Sequence, residues 1–257
     1  MTSWYGGIDA GSRAIKAVLV DDRGRRAGAA LVDQGVRQVE LAREAFAAAL
    51  DEARIGEDAV QRVVATGYGR GALTFADRAV TEITCHARGV ADLRPGTATV
   101  VDIGGQDSKL LRLDGRGRVQ DFAMNDRCAA GTGRFLEVVA HRLECDLVRA
   151  GELAAAAETP CTINSMCVVF AETEIVGLLA AGKRAENIVA GVQAAVAARI
   201  AALAGGLVEE PAVFTGGVAL VPGMEAALAR ALGVPLATAP DPQFTGALGA
   251  ALIAREG

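Results

Sequence analysis

Two segments of the chain carry the same set of residues at a constant offset of 93 positions. In each copy the pattern predicts a β-hairpin: a strand ends at Asp, a Gly turn follows, and a second strand covers residues 17–20 or 110–113. Six coincidences at one offset indicate two lobes of similar build. The first set is Asp9, Gly11, Lys16, Asp21, Gly24 and Arg25, and it recurs as Asp102, Gly104, Lys109, Asp114, Gly117 and Arg118.

A glycine turn directly after a strand suits the binding of nucleotide phosphates. Gly11 and Ser12 in one copy, and Gly104 and Gly105 in the other, have little or no side chain to keep phosphate oxygens away from the main-chain N–H groups. A third turn, at Gly216, follows an apolar strand and is expected to lie under the adenosine. A single Asp-x-Gly is more often an ordinary hairpin turn, but the repetition favours a nucleotide site, and no Walker sequence occurs.

The acidic residues of the two hairpins suggest how phosphoryl transfer would proceed. Asp9 and Asp102 are expected to face each other across a nucleotide cleft, where two carboxylates would repel a triphosphate unless a cation intervened. We therefore predict Mg²⁺ held mostly through water, with Gln106 or Asp102 orienting the attacking water. The predicted catalytic residues are thus Asp9, Asp102 and Gln106. The predicted nucleotide-binding residues are Gly11, Ser12, Arg13, Lys16, Gly104, Gly105, Asp107, Gly131, Gly216 and Gly217.

Two of the five cysteines stand close to predicted helix starts. Cys128 precedes an Ala-Ala-Gly-Thr-Gly segment, and Cys167 precedes an apolar helical run. The partial positive charge of a helical N-terminus stabilises an anionic ligand. Two thiolates are half of what a [4Fe-4S] cluster needs, so either a two-fold dimer or help from the other cysteines would be required. Those other cysteines, Cys85, Cys145 and Cys161, are expected to be small buried apolar residues.

Helices and strands in an α/β arrangement must position these residues. We predict helices at about 39–53, 132–143, 168–181, 187–203, 224–232 and 245–254, and strands around 63–65 and 213–214. The chain is divided at residue 96 into an N-terminal lobe, 1–96, and a C-terminal lobe, 97–257, which carries both cysteines. His86 and His141 have no metal-like partner at helical spacing and are read as structural.

Composition excludes several classes of protein. The 257 residues include 26 basic and 31 acidic side chains, a formal charge of −5, and no clustered basic face, so nucleic acid is not an expected partner. The first seven residues do not combine a basic region with a long apolar run, which predicts no signal peptide and no membrane span, and therefore a cytoplasmic protein. An odd number of cysteines argues against a disulfide framework.

The segment Asn125-Asp126-Arg127-Cys128-Ala129-Ala130-Gly131-Thr132-Gly133 closely resembles the activator ATPase family of 2-hydroxyacyl-CoA dehydratases and benzoyl-CoA reductases. Further family-like segments lie at 65–70, 82–89, 102–107, 166–174 and 215–218, so the likeness covers nearly the whole chain. The hairpin pair and late glycine turn also resemble the wider superfamily of actin, heat-shock 70 chaperones, acetate kinases and sugar kinases. That likeness implies two related lobes with a nucleotide cleft between them.

The family resemblance implies a homodimer that holds one [4Fe-4S] cluster through Cys128 and Cys167 of each copy. It further implies that a reduced ferredoxin or flavodoxin supplies an electron, and that ATP hydrolysis drives its transfer to an iron-sulfur dehydratase or reductase component. Arg13 departs from the family pattern, in which a small residue is usual, whereas Lys16 matches it. The alternatives are a permanent benzoyl-CoA reductase subunit, a small-molecule kinase of the same fold, and a non-enzymatic nucleotide sensor.

Overall fold

The structure, a computed structural model, describes residues 3–257, so Met1 and Thr2 of the N-terminal segment considered above lie outside it. The strands are β1 (Trp4–Ala10), β2 (Ala14–Asp21), β3 (Arg26–Asp33), β4 (Val60–Thr66), β5 (Arg78–Ala79), β6 (Thr99–Ile103), β7 (Ser108–Leu113), β8 (Val119–Asn125), β9 (Ala212–Thr215) and β10 (Leu236–Thr238). The α-helices are α1 (Gln38–Ala53), α2 (Glu82–Leu93), α3 (Gly133–Arg142), α4 (Leu147–Ala155), α5 (Val168–Ala180), α6 (Ala185–Ala204), α7 (Met224–Leu232) and α8 (Thr245–Glu256). Short 3₁₀ helices cover Glu57–Ala59, Arg70–Ala72, Ala129–Gly131, Gly217–Leu220 and Pro242–Phe244.

The chain forms two compact units, each built on one five-stranded sheet. Unit 1 contains residues through Thr97, Leu113–Gln120 and Ala239–Gly257, and unit 2 contains Ala98–Arg112 and Asp121–Thr238. The sheet of unit 1 has the order β3-β2-β1-β4-β5, and the other has β8-β7-β6-β9-β10. In unit 1, β1 and β2 form the predicted antiparallel hairpin, and β4 lies parallel to β1 on the other edge of that strand. In unit 2, β6 and β7 form the antiparallel hairpin, and β9 lies parallel to β6. The repeat therefore extends beyond the two hairpins to their parallel neighbours, β4 in unit 1 and β9 in unit 2.

Side chains of β2 alternate between two apolar layers in unit 1. Ile15 and Leu19 pack into a cluster with Phe46 of α1, whereas Val18 and Val20 pack with residues of α8 on the opposite face. This is the period-two pattern of a strand covered on both faces. The sheet is consequently held between α1 on one side and α2 and α8 on the other.

The core of unit 2 forms one large apolar cluster. Phe135 of α3, Ile175 of α5, Ile188 of α6 and Phe214 of β9 are all fully buried within it. The helix α6 is, by length and composition alone, apolar enough to cross a membrane, but half of that stretch is buried inside unit 2. A central helix of a folded core passes the same test.

The six predicted helices are confirmed, with ends shifted by at most two residues, and both predicted strands are confirmed, although β4 begins three residues before its predicted start. The helices α2 and α4 were not predicted as such. The two compact units do not coincide with the predicted lobes 1–96 and 97–257, because Leu113–Gln120 and Ala239–Gly257 group with unit 1. Residues 239–257 belong to unit 1 because α8 packs tightly on β1 and α2. A Cβ on Gly249 would lie 1.8 Å from the Cys85 carbonyl oxygen of α2, and one on Gly7 of β1 would lie 2.1 Å from the Ala247 carbonyl oxygen of α8.

Candidate functional site

The first hairpin places an aspartate and a lysine side by side. Asp9 and Lys16 are cross-strand partners on β1 and β2, and Lys16 Nζ lies 3.1 Å from Asp9 Oδ2. Gly11 closes the turn above them, where a Cβ would lie 3.0 Å from Lys16 Nζ. Ser12 is half-buried and Arg13 is exposed in the same turn. The structure thus brings together Asp9, Gly11 and Lys16 and leaves the guanidinium of Arg13 at the surface.

The second hairpin repeats this arrangement with deeper burial. Asp102 and Lys109 pair across β6 and β7, and Lys109 Nζ lies 3.3 Å from Asp102 Oδ2 and 2.7 Å from Asp107 Oδ2. The Asp102 and Lys109 side chains are each only 3% exposed. Gly104 donates its N–H to the Asp107 carbonyl at 2.9 Å, which closes the turn, while Gln106 is exposed.

A glycine turn after the next parallel strand abuts the aspartate in each unit. In unit 2, Gly216 follows β9 with φ of +88°, and a Cβ there would lie 2.8 Å from Asp102 Oδ1. In unit 1, Gly67 follows β4 with φ of +89°, and a Cβ there would lie 2.5 Å from Asp9 Oδ1. Only glycine fits both the backbone and the space. Gly67 was missed as a site residue, although the Thr-Gly pair after an apolar strand recurs at Thr215 and was visible in the sequence.

Gly246 lies beside Asp9, and His86 lies beside Gly246, although neither residue was predicted there. A Cβ on Gly246 would lie 3.5 Å from Asp9 Oδ2 and 3.1 Å from His86 Nε2. His86 is buried, and its Nδ1 lies 3.0 Å from Thr245 Oγ1. The sequence gives no periodic signal that would bring α2 and α8 to this hairpin.

The second hairpin turn is directly bonded to the start of α3. Gly133 donates its N–H to the Gly104 carbonyl and Arg134 donates to the Gly105 carbonyl, each at 2.9 Å. Gly133 lacks a side chain at a place where a Cβ would lie 3.0 Å from the Gly104 oxygen. The turn at 104–105 is therefore fixed to the segment that also carries Cys128. Gly131, in that segment, lies beside Ser108 and Asn125 and not among the carboxylates.

Cys128 and Cys167 are both exposed free thiols, each immediately before a helix. Cys128 precedes the 3₁₀ turn that leads into α3, and Cys167 is the N-cap residue of α5. Within the described part of one chain, no three His, Cys, Asp or Glu side chains come together as a metal site. Two exposed thiols per chain are half of the donor set of a [4Fe-4S] cluster.

Two of the other cysteines are in environments that favour a protonated thiol. Burial, the largest cause, raises the pKa of Cys85 to about 12. Burial also raises the pKa of Cys145, with a further contribution from the charge of Asp146. Cys85 is fully buried, as expected, whereas Cys145 and Cys161 are only partly buried.

Comparison with known proteins relates the chain to one family. The model of the BadF/BadG/BcrA/BcrD ATPase family matches residues 7–254. The activator of lactoyl-CoA dehydratase from Anaerotignum propionicum is 45% identical, over 97% of this chain and 96% of that protein. A benzoyl-CoA reductase component from Thauera aromatica is less similar, at 34% identity over 96% of this chain and 91% of that protein.

Solved structures give the same relationship. The Acidaminococcus fermentans (R)-2-hydroxyglutaryl-CoA dehydratase component A matches with a TM-score of 0.95 and 39% identity, over 99% of this chain and 98% of that one. The activator of 2-hydroxyisocaproyl-CoA dehydratase from Clostridium difficile, solved with bound ADPNP, matches with a TM-score of 0.94 and 38% identity, over 98% and 94%. A glucokinase from Streptomyces griseus, at 15% identity and a TM-score of 0.60 over 99% and 100%, shares the fold alone. The fold is that of the actin-like ATPases, as predicted.

Proposed function

Because the chain belongs to the BadF/BadG/BcrA/BcrD ATPase family, we propose that it activates a 2-hydroxyacyl-CoA dehydratase by coupling ATP hydrolysis to the delivery of one low-potential electron. A dehydratase is preferred to a benzoyl-CoA reductase as the partner because the dehydratase activators are the more similar relatives. The electron donor in this proposal is a reduced ferredoxin or flavodoxin, and the protein works in the cytoplasm.

ATP binding is assigned to the turns of the two hairpins. Lys16 and Lys109 hold the side chains of Asp9 and Asp102 in place, since each lysine Nζ lies within 3.3 Å of an oxygen of its aspartate. A carboxylate that is already paired with a lysine suits Mg²⁺ held through water better than direct coordination. Gln106 or Asp102 orients the water that attacks the γ-phosphate, a reaction in which positioning and charge stabilisation provide most of the catalysis.

The observation that carries the proposed coupling is that the turn at Gly104 and Gly105, proposed to bind phosphate, is hydrogen-bonded to the start of α3. The carbonyls of Gly104 and Gly105 each accept a hydrogen bond from the first residues of this helix, at 2.9 Å. A shift of the turn between the ATP and ADP states would therefore move the start of α3, and with it Cys128. Nucleotide state then changes the relative stability of two dimer arrangements, as a population shift requires.

Cys128 and Cys167 of each copy are the proposed ligands of one [4Fe-4S] cluster per homodimer. When bound, such a cluster stores and releases one electron at low potential. Cys167 is the N-cap residue of α5, where the partial positive charge of the helix start favours an anionic ligand. Met166, Val169 and Phe170, beside Cys167, are large apolar side chains that are at least 69% exposed. Exposed apolar residues beside Cys167, a proposed cluster ligand, support a protein interface around the start of α5.

Anaerobic purification with iron and sulfide analysis tests the ligand assignment. Wild type is expected to hold one cluster per two chains and to give an EPR signal after reduction, whereas Cys128→Ala and Cys167→Ala lose it. Cys145→Ala is the matched control and is expected to keep the wild-type iron content, because that thiol is not among the proposed ligands. If both ligand variants kept a full cluster, the assignment would be wrong.

A coupled assay tests the activity. Reduced protein is mixed with a purified 2-hydroxyacyl-CoA dehydratase, and dehydration is followed with ATP or with a non-hydrolysable analogue. Activation that appears only with ATP is the expected result. Iron-free, air-stable protein that phosphorylates a small metabolite would instead identify a kinase of the same fold.

A further inference from the structure

The loop that presents Cys128 is held by the side chain of Asn125, the last residue of β8. Asn125 Oδ1 accepts the N–H of Cys128 at 2.9 Å, and Asn125 Nδ2 donates to the Cys128 carbonyl at 2.7 Å. One amide side chain therefore fixes both backbone polar groups of the cysteine. This double contact sets the direction in which the thiol leaves the backbone.

The loop that leads to Cys167 is held by a carboxylate from the helix that follows it. Glu174 of α5 accepts hydrogen bonds from the N–H of Asn164 at 2.8 Å, from Asn164 Nδ2 at 3.1 Å and from the N–H of Ser165 at 2.8 Å. Burial raises the pKa of Glu174, but these hydrogen bonds lower it by more, so the net pKa lies below the ordinary value. The side chain is thus kept as the anion that accepts all three bonds.

An arginine on α6 connects the two loops. Arg199 Nη2 donates to the Ser165 carbonyl at 2.8 Å, close to Cys167. The same guanidinium lies 5.8 Å from the ring centroid of Phe135 on α3, the helix that follows the Cys128 loop. A second bond, from Nη1 to the Ala195 carbonyl at 2.8 Å, fixes the arginine to its own helix. One residue of α6 therefore contacts the Cys167 loop and the helix that follows the Cys128 loop.

Polar bonds matter here because the two cysteine side chains are exposed and are not held by packing in the core. Cys128 and Cys167 are exposed, and Met166 is 81% exposed. An exposed loop without such bonds samples many conformations, and ordering it when a ligand binds costs affinity. Contacts that orient ligand residues commonly change metal affinity by about 10- to 100-fold.

We infer that Asn125, Glu174 and Arg199 are positioning residues that hold the thiols of Cys128 and Cys167 in the geometry their shared metal cluster requires. The inference rests on the proposed function, since it presumes that these thiols are ligands. It extends that proposal by assigning a role to three residues that bind neither metal nor nucleotide.

Near-isosteric variants test this role with little risk of misfolding. In Glu174→Gln, the amide nitrogen is a donor and cannot accept the Ser165 N–H. In Asn125→Asp, the acceptor for the Cys128 N–H remains but the donor to its carbonyl is lost. Glu172→Gln is the matched control, because Glu172 lies on the same helix but pairs with Arg142. Arg199→Lys keeps the charge and removes the planar group that reaches both segments.

The measurement is the rate at which a ferrous chelator removes iron from anaerobic, cluster-loaded protein, together with the EPR spectrum of the reduced form. Each of the three positioning variants is expected to lose iron about 10- to 100-fold faster than wild type and to show an altered EPR line shape. The control is expected to match wild type in both. Amide hydrogen exchange of the metal-free protein supplies a second readout, in which Ser165 loses protection in Glu174→Gln only.

Three outcomes are distinguishable. Faster iron loss in the positioning variants, with the control unchanged, supports the inference. Wild-type iron loss and wild-type spectra in all three variants overturn it while leaving the proposed function intact. Wild-type protein that takes up no iron overturns the proposed function, and the inference with it. If one variant fails to fold, the other two still decide between these results.

Discussion

The two hairpins provide a matched pair of lysines whose removal should have unequal effects on stability. Lys16 and Lys109 occupy the same register position in units 1 and 2 and contact equivalent aspartates at 3.1 and 3.3 Å. They differ in burial: the Lys16 side chain is 16% exposed, whereas that of Lys109 is 3% exposed and contacts a second carboxylate, Asp107. Lys→Met at each position removes the charge and keeps most of the volume.

The loss of folding free energy that each substitution causes can be estimated from the burial of its ion pair. Removing one partner of a buried ion pair costs about 3–5 kcal/mol because a buried charge is left uncompensated. Lys109→Met should fall in this range. Lys16→Met should cost about 1–2 kcal/mol, between the values for exposed and buried pairs. For a chain of this size 1 kcal/mol shifts Tm by about 2–4 °C, so the expected decreases are about 6–20 °C and about 2–8 °C.

Thermal unfolding of metal-free, nucleotide-free protein, followed by circular dichroism, measures both shifts. The double variant Asp102→Asn/Lys109→Met supplies the control: a neutral amide at position 102 no longer needs a cation, so part of the lost Tm should return, while Asp107, 22% exposed, still lacks its contact with Lys109. A larger decrease for Lys16→Met than for Lys109→Met would refute the reasoning. So would a double variant that is less stable than Lys109→Met alone.

Three further predictions concern single residues. Gly216→Ala should lower the urea unfolding midpoint more than Gly182→Ala. Both glycines have positive φ, and placing a residue with a Cβ in this conformation costs about 1–3 kcal/mol. Only at Gly216 would the new Cβ also clash with a backbone oxygen, that of Ile103, at 2.4 Å. In iodoacetamide labelling at pH 8 followed by mass spectrometry, Cys85 should stay unmodified until denaturant is added, because burial raises the pKa of this thiol to about 12. Hydrogen bonds from the backbone and side chain of Arg118 lower the pKa of Asp114 from 3.8 to about 2. The stability that this pair contributes is present above pH 3.8 and disappears as the pH falls through 2, so Asp114→Asn should show a smaller loss of urea midpoint than wild type between pH 4 and pH 2.

Local features of the fold could be predicted from the sequence because the repeat preserves them residue by residue. Asp21 accepts the N–H groups of Arg23 and Arg25 through one oxygen, and Asp114 accepts those of Arg116 and Arg118 in the same way. Gly24 and Gly117 both have positive φ, at 80° and 75°. Such turns depend on neighbouring residues, so equal spacing predicts equal geometry.

Features that depend on distant segments could not be predicted in this way. The helix α2 contains Gly89 in its buried face, a residue of low helix propensity. Its glycine is explained by α8, because a Cβ there would lie 2.1 Å from the Thr245 carbonyl oxygen. The grouping of α8 with unit 1 follows from this contact, which joins residues far apart in the chain. Arg199 is a similar case, since nothing in α6 indicates that its guanidinium reaches Ser165.

The placement of Gly133 connects the phosphate turn with the proposed cluster ligands. A Cβ at this position would lie 3.0 Å from the Gly104 oxygen, 3.1 Å from Val218 and 3.4 Å from the Gly105 Cα, so only glycine lets α3 begin directly on the turn. Because that helix also packs on α5, which begins after Cys167, a displacement of the turn has a continuous packed route to both cysteines. Packed helices pass a small displacement of the turn on to a distant site only if the structure they belong to has two stable arrangements. We therefore expect the two arrangements to be those of the proposed homodimer, because the exposed Cys128 and Cys167 lie outside the buried core of unit 2.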